Sequence, residues 1–344
     1  MRHVNIPIFI PHLGCPNTCV FCNQRTISGK QSFDISDVRR AIETAMSTID
    51  SGEEVEIAFF GGSFTGIDRE LMIALLELAY GYVEDGRVTS VRCSTRPDYI
   101  DGQTLAILKR YGVKVIELGL QSADNGVLAA TKRGHSFADE ERACRMIVEA
   151  GFELVGQMMI GLPGSTAESE LETADFIIRA GATGARIYPT VVFRDTELCS
   201  MCERGEYKPL SLVEAVARTT EALKRFVSAG VKVVRVGLCS SENLVSEDTY
   251  FAGPNHPAIG ELCENKIYLD KIFECARGLA LDENTVLRIT VSRGSMSKAV
   301  GQSKRNQRLL LECLGVKRVV FAESDELSGY EISVGAEEGE KICI

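Results

Sequence analysis

The chain has 344 residues, 45% of them hydrophobic and 25% charged, with a mean hydropathy of +0.02 and a net charge of −10. That leaves room for one large core or two smaller ones, and an acidic average speaks against indiscriminate nucleic-acid binding while leaving a local basic patch open. No apolar run approaches the ~20 residues that span a bilayer, and the opening MRHVNIPIFIPHLG is too short and too polar for a signal peptide, so a cytoplasmic protein with no membrane partner is expected.

VNIPIFI (4–10) reads as a buried strand and DISDVRRAIETAMSTI (34–49) as a helix capped by Asp34 or Ser36. VEIAFF (55–60) is a second strand and ends abruptly in GGSFTG. Helix 69–83, strand 87–93, helix 101–111 and strand 113–119 follow, then a helical region to about 150, strand 152–160, helix 166–180 and strand 184–192. Six β-α repeats of short buried strands require a parallel sheet, open or closed into a barrel, with its chemistry at the carboxyl ends of the strands. The fold class is therefore α/β. Helix 211–229 and strand 231–238 precede a polar loop, 240–261, and a helix near 262–277. A strand (285–291), a helix (297–315) and a strand (316–323) with a hairpin to YEISVG complete the chain. The boundary is placed near 240, giving a barrel over 1–239 and a small α+β unit over 240–344.

GCPNTCVFCN (14–23) puts Cys15, Cys19 and Cys22 on one loop after the first strand. In a reduced compartment the twelve cysteines of the chain are ligands or core fillers, not a disulfide framework. Three thiolates suit a [4Fe–4S] cluster with one iron left open. The other readings are a zinc knuckle completed by His12, three residues before Cys15, and structural thiols. The spacing, the place after strand one and the glycine pair after strand two favour the cluster.

Taken together, C-x3-C-x2-C and GGSFTG resemble the radical S-adenosylmethionine superfamily, in which the open iron chelates the methionine moiety of S-adenosylmethionine. ELGLQS (117–122), KRGH (132–135), GFELVGQMMIGLPG (151–164), RIYPTVV (186–192) and GEYKPLS (205–211) are similar to the radical domain of the Elongator catalytic-subunit family, which modifies the wobble uridine of tRNA. Oxygen-independent coproporphyrinogen III oxidase belongs to the same branch. The resemblance implies a partial (βα)6 barrel and S-adenosylmethionine contacts at Gly61, Gly62, Ser63, Ser94, Gln121, Arg133 and Gln157. Arg133 is implied to pair with the methionine carboxylate, and Gln121 and Gln157 to hold the ribose. A side chain at either glycine of the pair would obstruct the cofactor. Ser94 stands where the oxidase has a glutamate, and Arg186 where the Elongator family has a lysine. No acetyltransferase domain follows the radical domain within the 344 residues, so the acetyl-transfer reaction is not implied. The implied mechanism begins with an electron from a reductant such as flavodoxin or ferredoxin. S-adenosylmethionine is then cleaved at the cluster, and a 5′-deoxyadenosyl radical attacks the substrate.

Two further features stand outside this pattern. Cys199 and Cys202 form C-x2-C, read as partly buried thiols, with Cys239 and Cys263 as the distant partners that an auxiliary cluster would need. Residues 293–318 carry seven basic residues against Glu312 alone. A strand, then VGQSKRN opening a helix, then a strand is faintly similar to a KH-type RNA-binding unit, with only Gly301 surviving of its two glycines. Lys304, Arg305 and Arg308, near the middle of that predicted helix, are the expected contacts to tRNA. The expected substrate is a nucleotide in RNA; the alternative is a small molecule such as a thioester, a porphyrin-like compound or a peptide.

Overall fold

The computed structural model describes residues 3–10, 14–15, 19–23, 34–50, 52–238 and 248–336, and the backbone of 339–343. His12 and Cys239 lie outside these residues. The chain divides into two compact units, Met1–Ala215 with Arg225–Asn255, and Val216–Lys224 with His256–Ile344.

In the first unit, β1 (His3–Ile10), β2 (Glu54–Gly61), β3 (Ser90–Thr95), β4 (Val113–Gln121), β5 (Glu153–Ile160) and β6 (Gly184–Pro189) lie side by side in chain order. Beyond a short β7 (Val192–Phe193), β8 (Lys232–Val236) joins at the far edge, and every neighbouring pair is parallel. Strand order that never reverses is the winding of a barrel, not of a doubly wound sheet. With β1 and β8 left as edges the barrel is partial. It has seven strands, one more than the six repeats expected, because the strand expected over 231–238 also joins the sheet, as β8. The central strands are near-continuous apolar runs, as burial on both faces demands: Val55, Ile57, Ala58 and Phe59 in β2 are 0–4% exposed. β9 (Tyr250–Ala252) pairs antiparallel with β7.

The intervening helices are α1 (Ile35–Met46), α2 (Arg69–Glu84), α3 (Gly102–Arg110), α4 (Asn125–Ala130), α5 (Phe137–Glu149), α6 (Ala167–Arg179), α7 (Glu197–Glu203) and α8 (Leu212–Ser228). Of the two candidates Asp34 caps α1, accepting from the Ser36 N–H at 2.8 Å. Capping boxes start α5 (Ser136 with Asp139), α6 (Thr166 with Ser169) and α8 (Ser211 with Glu214), satisfying backbone N–H groups that the first turn leaves unpaired. None of the described helices is long and apolar enough to cross a membrane.

The second unit contains α9 (Ile259–Ala276), β10 (Val286–Ser292), α10 (Met296–Val300), α11 (Arg305–Leu314), β11 (Arg318–Ser324), β12 (Ile332–Ala336) and β13 (Gly339–Cys343). Its sheet runs β11-β10-β12-β13, with β10 and β11 parallel and the other pairs antiparallel. The single helix expected over 297–315 is two helices. Gly301, Ser303 and Lys304 all take positive φ, and the 3-10 turn Gln302–Lys304 breaks the run. Its core gathers Tyr268 and Ile272 of α9, Leu287 and Ile289 of β10, Leu310 of α11 and Ile332 and Val334 of β12. Cys275 of α9 is disulfide-bonded, a departure from the expectation of a wholly reduced set.

Candidate functional site

The parallel sheet brings the ends of its strands to one cavity of about 160 Å³. The loop after β1 contributes Cys15, Cys19 and Cys22, and the end of β2 contributes Gly61 and Gly62. β3 supplies Ser94, and Arg96 directly follows that strand; β4 supplies Gln121, β5 supplies Gln157, and Arg133 enters from the turn after α4. Of the predicted residues only Ser63 is missing from the lining. Its hydroxyl is buried against Thr95 Oγ1 at 2.8 Å and accepts from the Arg96 N–H, so it ties the β2 turn to β3.

The cysteine loop is fastened to its surroundings by backbone. Val20 N–H donates to Thr131 C=O at 3.2 Å, Leu198 N–H donates to Val20 C=O at 2.8 Å, and Cys22 N–H closes a turn on Cys19 C=O. Gly14, at φ +77°, lies so close to the β2 turn that a Cβ would stand 2.7 Å from the Gly66 backbone. Only glycine fits there. Gly61, at φ +113°, is required for a related reason: a Cβ would sit 2.6 Å from Ile10 C=O. The neighbour that excludes a side chain at Gly61 is thus strand β1, and Gly62 N–H donates to the same carbonyl.

Two guanidinium groups converge on Cys19, which is itself buried. Arg133 Nη1 donates to Cys19 Sγ at 3.3 Å and Arg96 Nη1 reaches it at 4.0 Å. Arg133 also donates to Gly119 C=O, and Arg96 to Arg133 C=O. Both oxygens of Asp98 accept from Arg96 at 2.9 Å, and His135 Nδ1 stands 3.6 Å behind at Asp98 Oδ1. With Arg96 and His135 beside it, Asp98 is held well below the usual carboxylate range although burial alone would raise it. Burial pushes the Cys15 thiol up, opposed by a Ser63 backbone bond and by the charges of Arg96 and Arg133. Sequence reasoning stopped at Ser94 in CSTRP and missed Arg96. An arginine just beyond a strand end was the available signal.

Below the cavity a belt of charge crosses the strands. Glu117, fully buried, accepts from Arg92 at 3.0 Å, from Arg186 Nε at 2.7 Å and from Gln157 at 3.0 Å. Arg92 also donates to Glu56 at 2.7 Å, and Glu56 is met by His3 at 2.7 Å. Gln157 is therefore oriented from beneath by Glu117, and it makes a longer contact of 3.4 Å to Ser94 Oγ. Charge buried at this depth is retained only where such partners compensate its desolvation.

Two polar atoms of the lining remain buried without a partner among the described residues, Gln121 Oε1 and Arg133 Nε. Gln121 also sits at φ +76°, on a bulge between Gly119 and itself. Backbone outliers of this kind cluster at ligand sites, and orphaned buried groups call for a polar ligand. Cys15, Cys19 and Cys22 all line this cavity, and among the described residues no three His, Cys, Asp or Glu side chains are placed to hold one metal ion. In a cubane cluster each thiolate ligates a different iron, whereas a zinc knuckle needs its ligands on a single point. The donor set fits a cluster with a polar cofactor beside it.

Cys199 and Cys202, on α7, pack elsewhere. Cys199 joins Val20, Val192 and Leu198 in a small apolar cluster, with Phe21 and Cys202 against it. Burial raises both thiols. Cys263 is buried in the second unit, bonded to Val216 C=O and pushed up to about 12.

The chain matches the Radical SAM superfamily over residues 9–177 and the Radical_SAM C-terminal domain over 182–268. An uncharacterized protein of Methanocaldococcus jannaschii is 30% identical over 60% of this chain and 66% of its own length. A tRNA uridine(34) acetyltransferase of Methanocaldococcus infernus is 33% identical over 38% of this chain and 25% of its own. The chain thus spans two thirds of the first relative's length and a quarter of the second's. Among solved structures, the archaeal Methanocaldococcus infernus Elp3 (Elongator complex protein 3) with an N-terminal deletion superposes with a TM-score of 0.63. That match has 22% identity and covers 82% of this chain and 66% of that one. It bears out the fold. Enzymes of the matched superfamily work with a [4Fe–4S] cluster and S-adenosylmethionine, the pair that the donor set accommodates. By its two family matches, which together cover most of its length, the chain belongs to the radical SAM superfamily.

Proposed function

We propose that this chain is a radical SAM enzyme that modifies a nucleotide in tRNA. The observation that carries the chemistry is the single cavity lined by Cys15, Cys19 and Cys22 together with the orphaned Gln121 Oε1 and Arg133 Nε. Cys15, Cys19 and Cys22 would each hold one iron of the cluster. Gly61, Gly62, Ser94, Gln121, Arg133 and Gln157 would hold S-adenosylmethionine, with Ser63 acting through the β2 turn. When bound, the two groups supply one-electron reduction and a carbon-centred radical able to take hydrogen from the substrate. The chain's own work is to position and to exclude water. Arg133 presents Nε to an anionic group, Gln121 presents an acceptor, and Glu117 with Arg186 keeps Gln157 from turning.

RNA as the substrate is supported by the relative named as a tRNA uridine(34) acetyltransferase and by the exposed Lys304, Arg305 and Arg308. The structure places these three at the start of α11 and in the turn before it, not at mid-helix. A flavodoxin or ferredoxin is the proposed electron donor, and a cytoplasmic location suits the reduced cluster.

Reconstituted protein given dithionite and S-adenosylmethionine should release 5′-deoxyadenosine slowly. Bulk tRNA from cells lacking this gene should accelerate the release, and a nucleoside of that tRNA should change mass. Acceleration by RNA-free extract, with tRNA inert, would transfer the assignment to a small-molecule substrate.

A further inference from the structure

The seven basic residues of 293–318 fall into two groups. Arg293 pairs with Asp325 at 3.3 Å and Lys298 with Glu264 at 2.9 Å. Lys304, Arg305, Arg308, Lys317 and Arg318 are exposed and meet no carboxylate among the described residues. Three of the five, Lys304, Lys317 and Arg318, line a groove of about 400 Å³ formed by the end of α10, the turn, α11 and β11. Between its charged walls lie the apolar side chains of Val300, Leu311 and Phe321, and no acidic side chain lines it.

β11 is the terminal strand of its sheet. Gln307 Nε2 donates to Val319 C=O at 3.2 Å, so that carbonyl faces away from β10 and into the groove. Strand alternation turns the N–H and C=O of Phe321 to the same open edge. The groove therefore offers, side by side, cations on both walls, a half-buried aromatic ring and the edge-facing N–H and C=O of Phe321.

We propose that this groove binds a single-stranded segment of RNA lying along the β11 edge. The inference rests on the reading of an RNA substrate and adds where, and in what state, the RNA is held. A polymer with a phosphate on every residue matches positive charge on two facing walls. Unstacked bases present flat faces to an aromatic ring and open edges to backbone donors and acceptors. A duplex hides both. An acidic peptide could add to β11 as a strand, but it would lie in the plane of the sheet and leave Lys304 on the far wall unmatched.

The test is fluorescence anisotropy on the full reconstituted chain. The probes are a labelled unstructured oligoribonucleotide, its perfect duplex, and tRNA. The Lys317→Glu/Arg318→Glu variant alters two exposed side chains remote from the cysteine loop in sequence. It should keep its iron content and circular dichroism, yet bind the single strand at least tenfold more weakly. The slope of log affinity against log salt should flatten by about 1.4, as two single-strand phosphate contacts are lost. The neutral Lys317→Gln/Arg318→Gln pair should show a smaller loss of the same kind. If the parent binds RNA and the charge-reversed variant binds it equally with the same slope, the groove assignment is overturned while the RNA reading stands. Equal affinity for duplex and single strand also overturns it, as does displacement of the labelled strand by an acidic peptide but not by unlabelled RNA. Should the parent bind none of the three RNAs, the RNA reading itself fails, and the groove with it.

Discussion

Arg92, Arg96, Arg133 and Arg186 of the first unit are all 4–9% exposed, each against a carboxylate, a sulfur or a carbonyl. Lys304, Lys317 and Arg318 of the second unit stand in solvent without a carboxylate partner among the described residues. The same charge does opposite work in the two places. Buried guanidinium groups are expensive to desolvate, so they persist only where the partners around them are complete, and their geometry is then rigid and little affected by salt. Exposed ammonium and guanidinium groups cost little to maintain and act at a distance, and salt weakens them. The first arrangement suits the positioning of a small cofactor; the second suits a mobile polymer.

The comparison breaks most visibly at the cysteine loop. Anaerobically reconstituted protein should carry about four irons and four sulfides, and Cys15→Ala, Cys19→Ala or Cys22→Ala should each abolish them. Iron and sulfide analysis of a variant carrying all three replacements decides the matter, since full content there would remove the proposed cluster site altogether. Next in size is Glu117→Ala, which leaves the buried Arg186 without its carboxylate and takes one of two from Arg92. Urea melts should show a loss of about 3–5 kcal/mol, nearly independent of salt. A loss below about 1 kcal/mol would mean that the belt is solvated and the contrast with the second unit is weaker than drawn.

Glu140 sharpens the same contrast through pH. It lies buried against His135 at 3.0 Å, and burial raises it to about 7 from the ordinary 4.5. Its protonated form is favoured in the folded state, so this contribution is complete below pH 4.5 and is lost as the pH rises through about 7. The difference in stability between parent and Glu140→Gln should drift in that direction by no more than about 3 kcal/mol. A drift of opposite sign would show that the Glu140 carboxyl is ionised in the folded protein. The smallest effect is expected at Cys199 and Cys202. Because they pack on the cysteine loop from outside the cavity, replacing both with serine should leave iron content unchanged. A loss of more than about two irons would reveal a second cluster.

Much of the site was legible because local chemistry carries it. C-x3-C-x2-C announces itself in any context, and glycines, prolines and polar residues at the ends of apolar strands mark the edge where ligands collect. Arg96, Glu117 and the bulge at Gln121 were not legible in the same way. Arg96 looks like a surface residue in CSTRP, and Glu117 like the polar member of a half-buried strand. Each acquires its role from groups 25 to 77 residues away, among them Arg92, Arg186 and Cys19. The broken helix at 301–304 escaped because apolar periodicity continues across it, and positive φ at Ser303 and Lys304 leaves no trace in composition.

By itself, then, the sequence determined the parallel α/β architecture, the cysteine loop after the first strand and the basic stretch near the end. Those follow from periodicity, spacing and charge, which are properties of neighbours along the chain. Tertiary structure alone decided that Ser63 ties a turn instead of lining the cavity, that β1 is what forbids a side chain at Gly61, and that five of seven basic residues meet no carboxylate among the described residues. It also decided that three of those five share a groove with an open strand edge. Each of these depends on which atoms from distant segments arrive within hydrogen-bond or van der Waals reach, and burial sets the energy of that meeting only after the chain has folded.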